Sequence, residues 1–251
     1  MILQLHLPYD VFARRPLPGI APLGNDPWFL VDDAYAAQMA YRRQLIAMRL
    51  QAVVATDAAS PLAIQDMLDA VLANLPNGFD VRQETIKCPD GTVVAVDREN
   101  PFATLGQVLQ EDVCLLEKRG DEHVLTGAVL CFPASWRLSE KIGHPLSHIH
   151  VPVPEYDDSL ARRVQRLFDG VRPGQPLWRF NALWYDDPEL HQPRSASTPR
   201  ELSDRNTAPF MRSERQVIWR LANSGAVLFT IHSFVVPRDA ARAAFPSTQT
   251  A

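Results

Sequence analysis

Along the first third of the chain apolar residues recur at helical spacing. Tyr35, Met39, Ile46, Leu50 and Val53 form one stripe and predict a long helix over 33–54. Ile64, Met67, Leu68, Val71, Leu72 and Leu75 form a second, opened by Ser60-Pro61 as cap and first helical residue and closed by Asn77-Gly78. From residue 81 the pattern turns strand-like. Runs 81–88 and 92–96 flank the turn signal Pro89-Asp90-Gly91, and runs 113–117 and 124–132 flank Arg119-Gly120-Asp121, so each pair predicts a hairpin, with a short helix over 101–109 between them. Residues 158–169 predict a helix with Leu160, Val164, Leu167 and Phe168 inward and Gly170 at its end. Residues 177–185 alternate as a strand, 186–211 form a long proline-bearing loop, and 213–222 read as a last helix. Asn223-Ser224-Gly225 then leads into 226–236, a strand apolar on both faces and therefore central. Ahead of all this, Pro8, Pro16, Pro18, Pro22 and Pro27 make 1–27 an extended arm lying on the surface. Hairpins with helices between and before them describe an α+β domain over 28–237, an antiparallel sheet with helices on one face and an added N-terminal helical region, followed by a tail over 238–251.

Charge and composition narrow the function classes. With 251 residues, 46% of them hydrophobic, the chain can bury a sizeable core, and its formal net charge of −4 leaves no basic footprint for nucleic acid. The Arg42-Arg43 and Arg162-Arg163 pairs sit on amphipathic helices and read as solvated faces. The N-terminus lacks the basic start of a signal peptide, and no apolar run reaches the roughly 18 residues of a membrane span, so a cytoplasmic protein without a membrane partner is expected. Cys88, Cys114 and Cys131 are odd in number and unpaired in spacing, which fits buried reduced thiols. No G-x-G-x-x-G or P-loop pattern supports nucleotide binding.

Candidate chemistry gathers at three places. The segment from Gly143 to Pro154 carries His144, His148 and His150; Pro145 starts a short helix over 145–151 and Pro152 with Pro154 ends it. Leu146, Ile149 and His150 then share one side while His144 and His148 fall on the other, which turns His150 inward. An inward imidazole is an axial ligand for haem iron, or a core histidine bonded to a backbone carbonyl. A zinc site from all three is a further option, although the short helix splays the rings and no glutamate lies between them. On the predicted 213–222 helix, Glu214 shares the apolar stripe of Val217, Ile218 and Leu221, with Arg215 on the neighbouring stripe. That carboxylate is either buried with a partner or wet at the positive end of the helix dipole. On the 177–185 strand, Arg179 and Asn181 share a face with Leu177 and Leu183, while Trp178, Phe180 and Trp184 take the other. An arginine there suits a fixed anion such as a propionate, or an ordinary ion pair.

These residues also carry a resemblance. Trp28-Phe29-Leu30-Val31-Asp32 with Tyr35, Gln110-Glu111-Asp112, Gly143-His144-Pro145-Leu146 leading to Ile149-His150-x-Pro152-Val153-Pro154, Arg179-x-Asn181, and Glu214-Arg215-Gln216 followed by 225–231 together resemble the haem-dependent oxidative N-demethylase α-subunit-like family. The likeness runs from about residue 28 to 237 and rests on the order and spacing of these segments. It implies a PAS-like sheet holding haem b, with dioxygen as co-substrate, that demethylates a small secondary amine such as dimethylamine. A separate reductase and a folate-binding subunit would act as partners. The resemblance also implies His150 as iron ligand, Glu214 as a pocket residue, and Arg179, Asn181 and Arg215 as cofactor contacts. One departure is local: where the family leads one to expect Arg-Thr-Tyr, this chain has His232-Ser233-Phe234, so a fixed cation is lost. His232 on the central strand is then a proton donor to the site or a plain core histidine. A haem-binding sensor or carrier of the same fold, without turnover, is the competing function.

Overall fold

The computed structural model describes residues 1–13, 18–149, 158–198 and 200–245. A two-residue strand, β1 (Ala21–Pro22), is followed by α1 (Tyr35–Val53), β2 (Val54–Thr56) and α2 (Pro61–Ala73). Ser60 Oγ accepts from Ala63 N at 3.1 Å, the cap that the Ser-Pro pair predicts. α1 buries Tyr35, Met39, Ile46 and Val53 as expected but exposes Leu50, because non-helical dihedrals at Arg49 break its last turn and rotate the stripe. Short strands β3 (Asp80–Arg82), β4 (Thr85–Lys87) and β5 (Val93–Ala95) replace the first predicted hairpin with a three-stranded sheet. Gln83, at φ 49°, turns the chain where one continuous arm was expected.

The helix α3 (Pro101–Val108) precedes the second hairpin, β6 (Asp112–Arg119) and β7 (Glu122–Val129), whose turn is made by Gly120 at φ 62°. After α4 (Leu146–Ile149) and α5 (Asp158–Gly170) come β8 (Leu177–Tyr185), β9 (Phe210–Arg220), β10 (Val227–Pro237) and α6 (Arg238–Ala244). The main sheet runs β1-β8-β9-β10-β6-β7-β2 with every neighbouring pair antiparallel, and β10 is its middle strand, as its two apolar faces require.

Two expectations need correction. Residues 213–222 are mostly strand, not helix: β9 pairs along its length with β8 on one side and β10 on the other. Helix-favouring Glu214, Arg215 and Gln216 are overridden by ladder bonds on both edges and by the β-branched and aromatic Val217, Ile218 and Trp219 that fill the faces. Helices also cover both faces, not one. On the front face, Val113, Leu115, Val129, Val217 and Leu228 pack with Met39, Met67, Phe102 and Leu105 of α1 to α3. On the back face, Cys114, Leu116, Ala128, Ile218 and Ile231 pack with Leu146 of α4 and Phe168 of α5. A sheet apolar on both sides exposes its ladder and side chains to water unless each side is covered.

The N-terminal arm is part of the core as well as a wrap. Leu7 and Val11 are buried against Met211 and Phe234, and Gln4 ties the arm to β10 through Gln4 N to Val235 O and Val235 N to Gln4 Oε1, 2.9 and 2.8 Å. No helix among the described residues is long and apolar enough to cross a membrane.

Candidate functional site

The register of the central strands sorts the polar residues by face. Asn181 lies opposite Glu214, Arg179 opposite Gln216 and Leu183 opposite Arg212; across β10, Ser233 lies opposite Glu214 and His232 opposite Arg215. Since consecutive side chains in a strand point to opposite faces, Arg179, Asn181, Arg212, Glu214, Gln216 and Ser233 share the back face, and Arg215 and His232 the front.

The back-face cluster centres on Glu214, which is 8% exposed. Its Oε2 accepts from Asn181 Nδ2 at 3.0 Å and from Gln216 Nε2 at 3.2 Å, while its Oε1 lies 3.9 Å from Arg212 Nε, too far for a hydrogen bond. Arg212 spends its terminal nitrogens on backbone carbonyls, donating to Glu189 O, Leu190 O and Phe132 O. Its Nε is buried without a partner, as are Arg179 Nε and Ser233 Oγ. Burial lowers the pKa of the Arg179 guanidinium, with Glu214 opposing the shift. Among the described residues, two guanidiniums stand against one carboxylate in this cluster, and two of its N–H donors are unspent. Leu177, Ile218, Phe229 and Ile231 surround the cluster with apolar surface.

His150 lies outside the described residues. The elements flanking it are described: Leu146 and Ile149 of α4, and Val164, Leu167 and Phe168 of α5, all pack on the back face. His144 and His148 stack with ring centroids 4.1 Å apart on the side away from Leu146, the partition that the proline-bounded helix predicts. Among the described residues, no group of three histidine, cysteine or acidic side chains is placed to hold a metal ion. The three cysteines are buried and free, and burial pushes the Cys131 thiol up to about 12, far from the thiolate a metal would need.

The front face holds a different assembly. His232 is fully buried, its Nδ1 2.9 Å from Glu111 Oε1 and its Nε2 3.0 Å from Asp32 Oδ2. Burial lowers its pKa, but Glu111 and Asp32 outweigh burial and raise it to about 9. The imidazole is therefore a cation at neutral pH, so the position where a fixed cation looked lost still carries one. Asp32, despite burial, is held below its ordinary value by His232 and by bonds from Gln110 and Gln4. Alongside, Arg42 is wholly buried, paired with Asp112 at 2.7 Å and donating to Gly106 O, Gln110 O and Glu111 O. The solvated reading of Arg42-Arg43 is thus corrected: Arg42 ties α1 to the corner before β6, and Arg43 bonds Asp90. Arg215, expected as a cofactor contact on the stripe beside that of Glu214, lies on this front face and donates to Trp28 O and Pro27 O at 2.9 and 2.6 Å. So the sheet separates His232 and Arg215 from Glu214, and brings Arg179, Asn181 and Glu214 together.

Sequence reading missed Arg212 and Gln216 as companions of Glu214. Read as a strand, β9 would have placed them there by simple alternation. It also missed His123, buried under α5 with Nδ1 2.8 Å from Gln165 Nε2, Nε2 unpartnered, and its pKa lowered by burial. Beside Tyr185 opens a polar cleft of about 440 Å³ that Arg194 and Arg200 help to line. The ring of Tyr185 lies 5.8 Å from the Arg212 guanidinium.

A family model described as haem-dependent oxidative N-demethylase, alpha subunit-like, matches residues 19–248. No curated protein matches the sequence.

Proposed function

The chain belongs to the haem-dependent oxidative N-demethylase, alpha subunit-like family, and from that premise we propose that it binds haem b against the back face of the sheet and removes a methyl group from a small secondary amine. The observation that carries the reading is the buried Arg179 Nε without a partner, beside Glu214 on an otherwise apolar surface. An unspent guanidinium donor suits a propionate, and two guanidiniums against one carboxylate in the cluster call for an anion. The residues present therefore fit the group. Arg179 would hold a propionate, and His150, by its place in the Ile-His-x-Pro-Val-Pro segment, would bind the iron.

When bound, haem supplies the centre at which dioxygen is reduced and the methyl group oxidised. The balance is a methylamine, dioxygen, two electrons and two protons giving the demethylated amine, formaldehyde and water, with the electrons from a separate reductase and the formaldehyde passed to a folate-binding partner. The chain's own residues bind and orient. Asn181 and Gln216 fix Glu214 Oε2, which leaves Oε1 to accept from the amine N–H and hold its methyl group in place. Burial of the cluster excludes water, which strengthens that contact.

The test is the visible spectrum of the purified protein with added haemin, repeated on His150→Ala, and formaldehyde release from dimethylamine with an artificial electron donor, repeated on Glu214→Gln. A Soret band that depends on His150, and formaldehyde that depends on Glu214, are expected. A band unchanged by His150→Ala moves the ligand elsewhere. Haem binding with no formaldehyde from any amine favours the sensor or carrier reading.

A further inference from the structure

Between Glu214 and Arg212 the back face holds an unfilled pairing. Glu214 Oε1 and Arg212 Nε lie 3.9 Å apart, the oxygen without a hydrogen bond and the nitrogen buried with no acceptor. They are too distant to satisfy one another. A secondary amine alone answers only half of this: its N–H groups donate to Oε1, and the Nε–H stays unpaired. A ligand that also carries an acceptor answers both.

We infer that the substrate is a zwitterion, a small N-methylated amino acid, with its ammonium on Glu214 Oε1 and its carboxylate on Arg212 Nε. The inference rests on the reading of this face as the amine site and deepens it. In an α-amino acid the ammonium nitrogen and a carboxylate oxygen sit about one hydrogen-bond length apart, roughly 2.7–3 Å. Two further hydrogen bonds of the same length then close a four-sided ring on the 3.9 Å gap. Arg212 suits the role because its other nitrogens are fixed on Glu189 O, Leu190 O and Phe132 O, so the Nε–H is held in place before any ligand arrives.

The reaction keeps the balance given above: the N-methyl carbon leaves as formaldehyde, one oxygen atom of dioxygen goes into it and the other into water, two electrons and two protons come from the reductase, and the product is the primary amino acid.

The test compares N-methylglycine with N-methylisobutylamine, which has the same number of heavy atoms and a branched apolar end in place of the carboxylate, on the haem-loaded protein. Calorimetric affinity and formaldehyde release are both read. N-methylglycine is expected to bind about 10- to 100-fold more tightly, the value of a charge-assisted hydrogen bond, with the difference in KM more than in kcat. Arg212→Gln is expected to shrink that preference toward unity, and Arg212→Lys to restore part of it, with folding of both checked by circular dichroism. Equal or weaker affinity for N-methylglycine overturns the inference. If neither amine yields formaldehyde, the proposed reaction fails, and the calorimetric preference still decides whether this pair reads a zwitterion.

Discussion

Replacing His232 by glutamine removes one buried positive charge while keeping a side chain able to hydrogen-bond, and its effect on stability is set by the two carboxylates that hold the imidazole. The folded pKa of about 9 stands against an ordinary 6.5. The folded state therefore binds this proton more tightly than the unfolded chain does, and protonation stabilises the fold. At about 1.36 kcal/mol per pKa unit, the shift is worth about 3 kcal/mol. That contribution is fully present below about pH 6.5, falls to about half near pH 7.75 and is lost as pH passes about 9. His123 and Asp32 do not blur the window: burial lowers the first below 6.5, and the second is held below its ordinary value of 3.8, so both titrate at more acid pH. Urea unfolding followed by tryptophan fluorescence reports on the fold directly, because Trp28 and Trp219 stack at 3.7 Å in the front-face core. Wild type should lose about 2 kcal/mol between about pH 6 and about pH 8.5, below the range where the buried cysteines ionise in the unfolded chain, and His232→Gln should start about 3 kcal/mol lower and show little slope over the same range. A wild-type midpoint independent of pH across that range, or an equal slope in the variant, refutes the assignment of His232 as a buried cation.

Three further outcomes follow from the packing. Arg42→Ala strips a fully buried guanidinium from Asp112 and three backbone carbonyls, and should cost about 3–5 kcal/mol by chemical denaturation. Gly127→Ala drives a methyl group into the ring of Phe102, and should cost about 1–3 kcal/mol, with Phe102→Leu in the same chain recovering part of the loss in melting temperature. Ser60→Ala removes the N-cap of α2 and should cost about 1 kcal/mol, whereas Ser60→Asp should be nearly neutral in the same assay.

Local chemistry made much of this protein readable in its sequence. The cap and stripe of α2, most of the stripe of α1, the Gly120 turn, the strand β8 and the two-sided apolar pattern of β10 all rest on contacts within a few residues or on solvent exposure alone, and the chain states both. The partition of His144 and His148 away from Leu146 follows in the same way from two prolines and a helical period. What stayed hidden depended on partners distant in sequence. β9 reads as a helix until β8 and β10 supply ladder bonds on both edges, and with that one misreading Arg212 and Gln216 were lost from the company of Glu214. Arg42 looks like a surface residue until Asp112, seventy positions later, folds against it. His232 and Glu214 looked like members of one pocket, and only the strand register decides that a sheet stands between them. Periodicity tells how a segment divides into two sides, but which side meets which neighbour is settled when the strands pair, because a shift of one residue in register exchanges the faces.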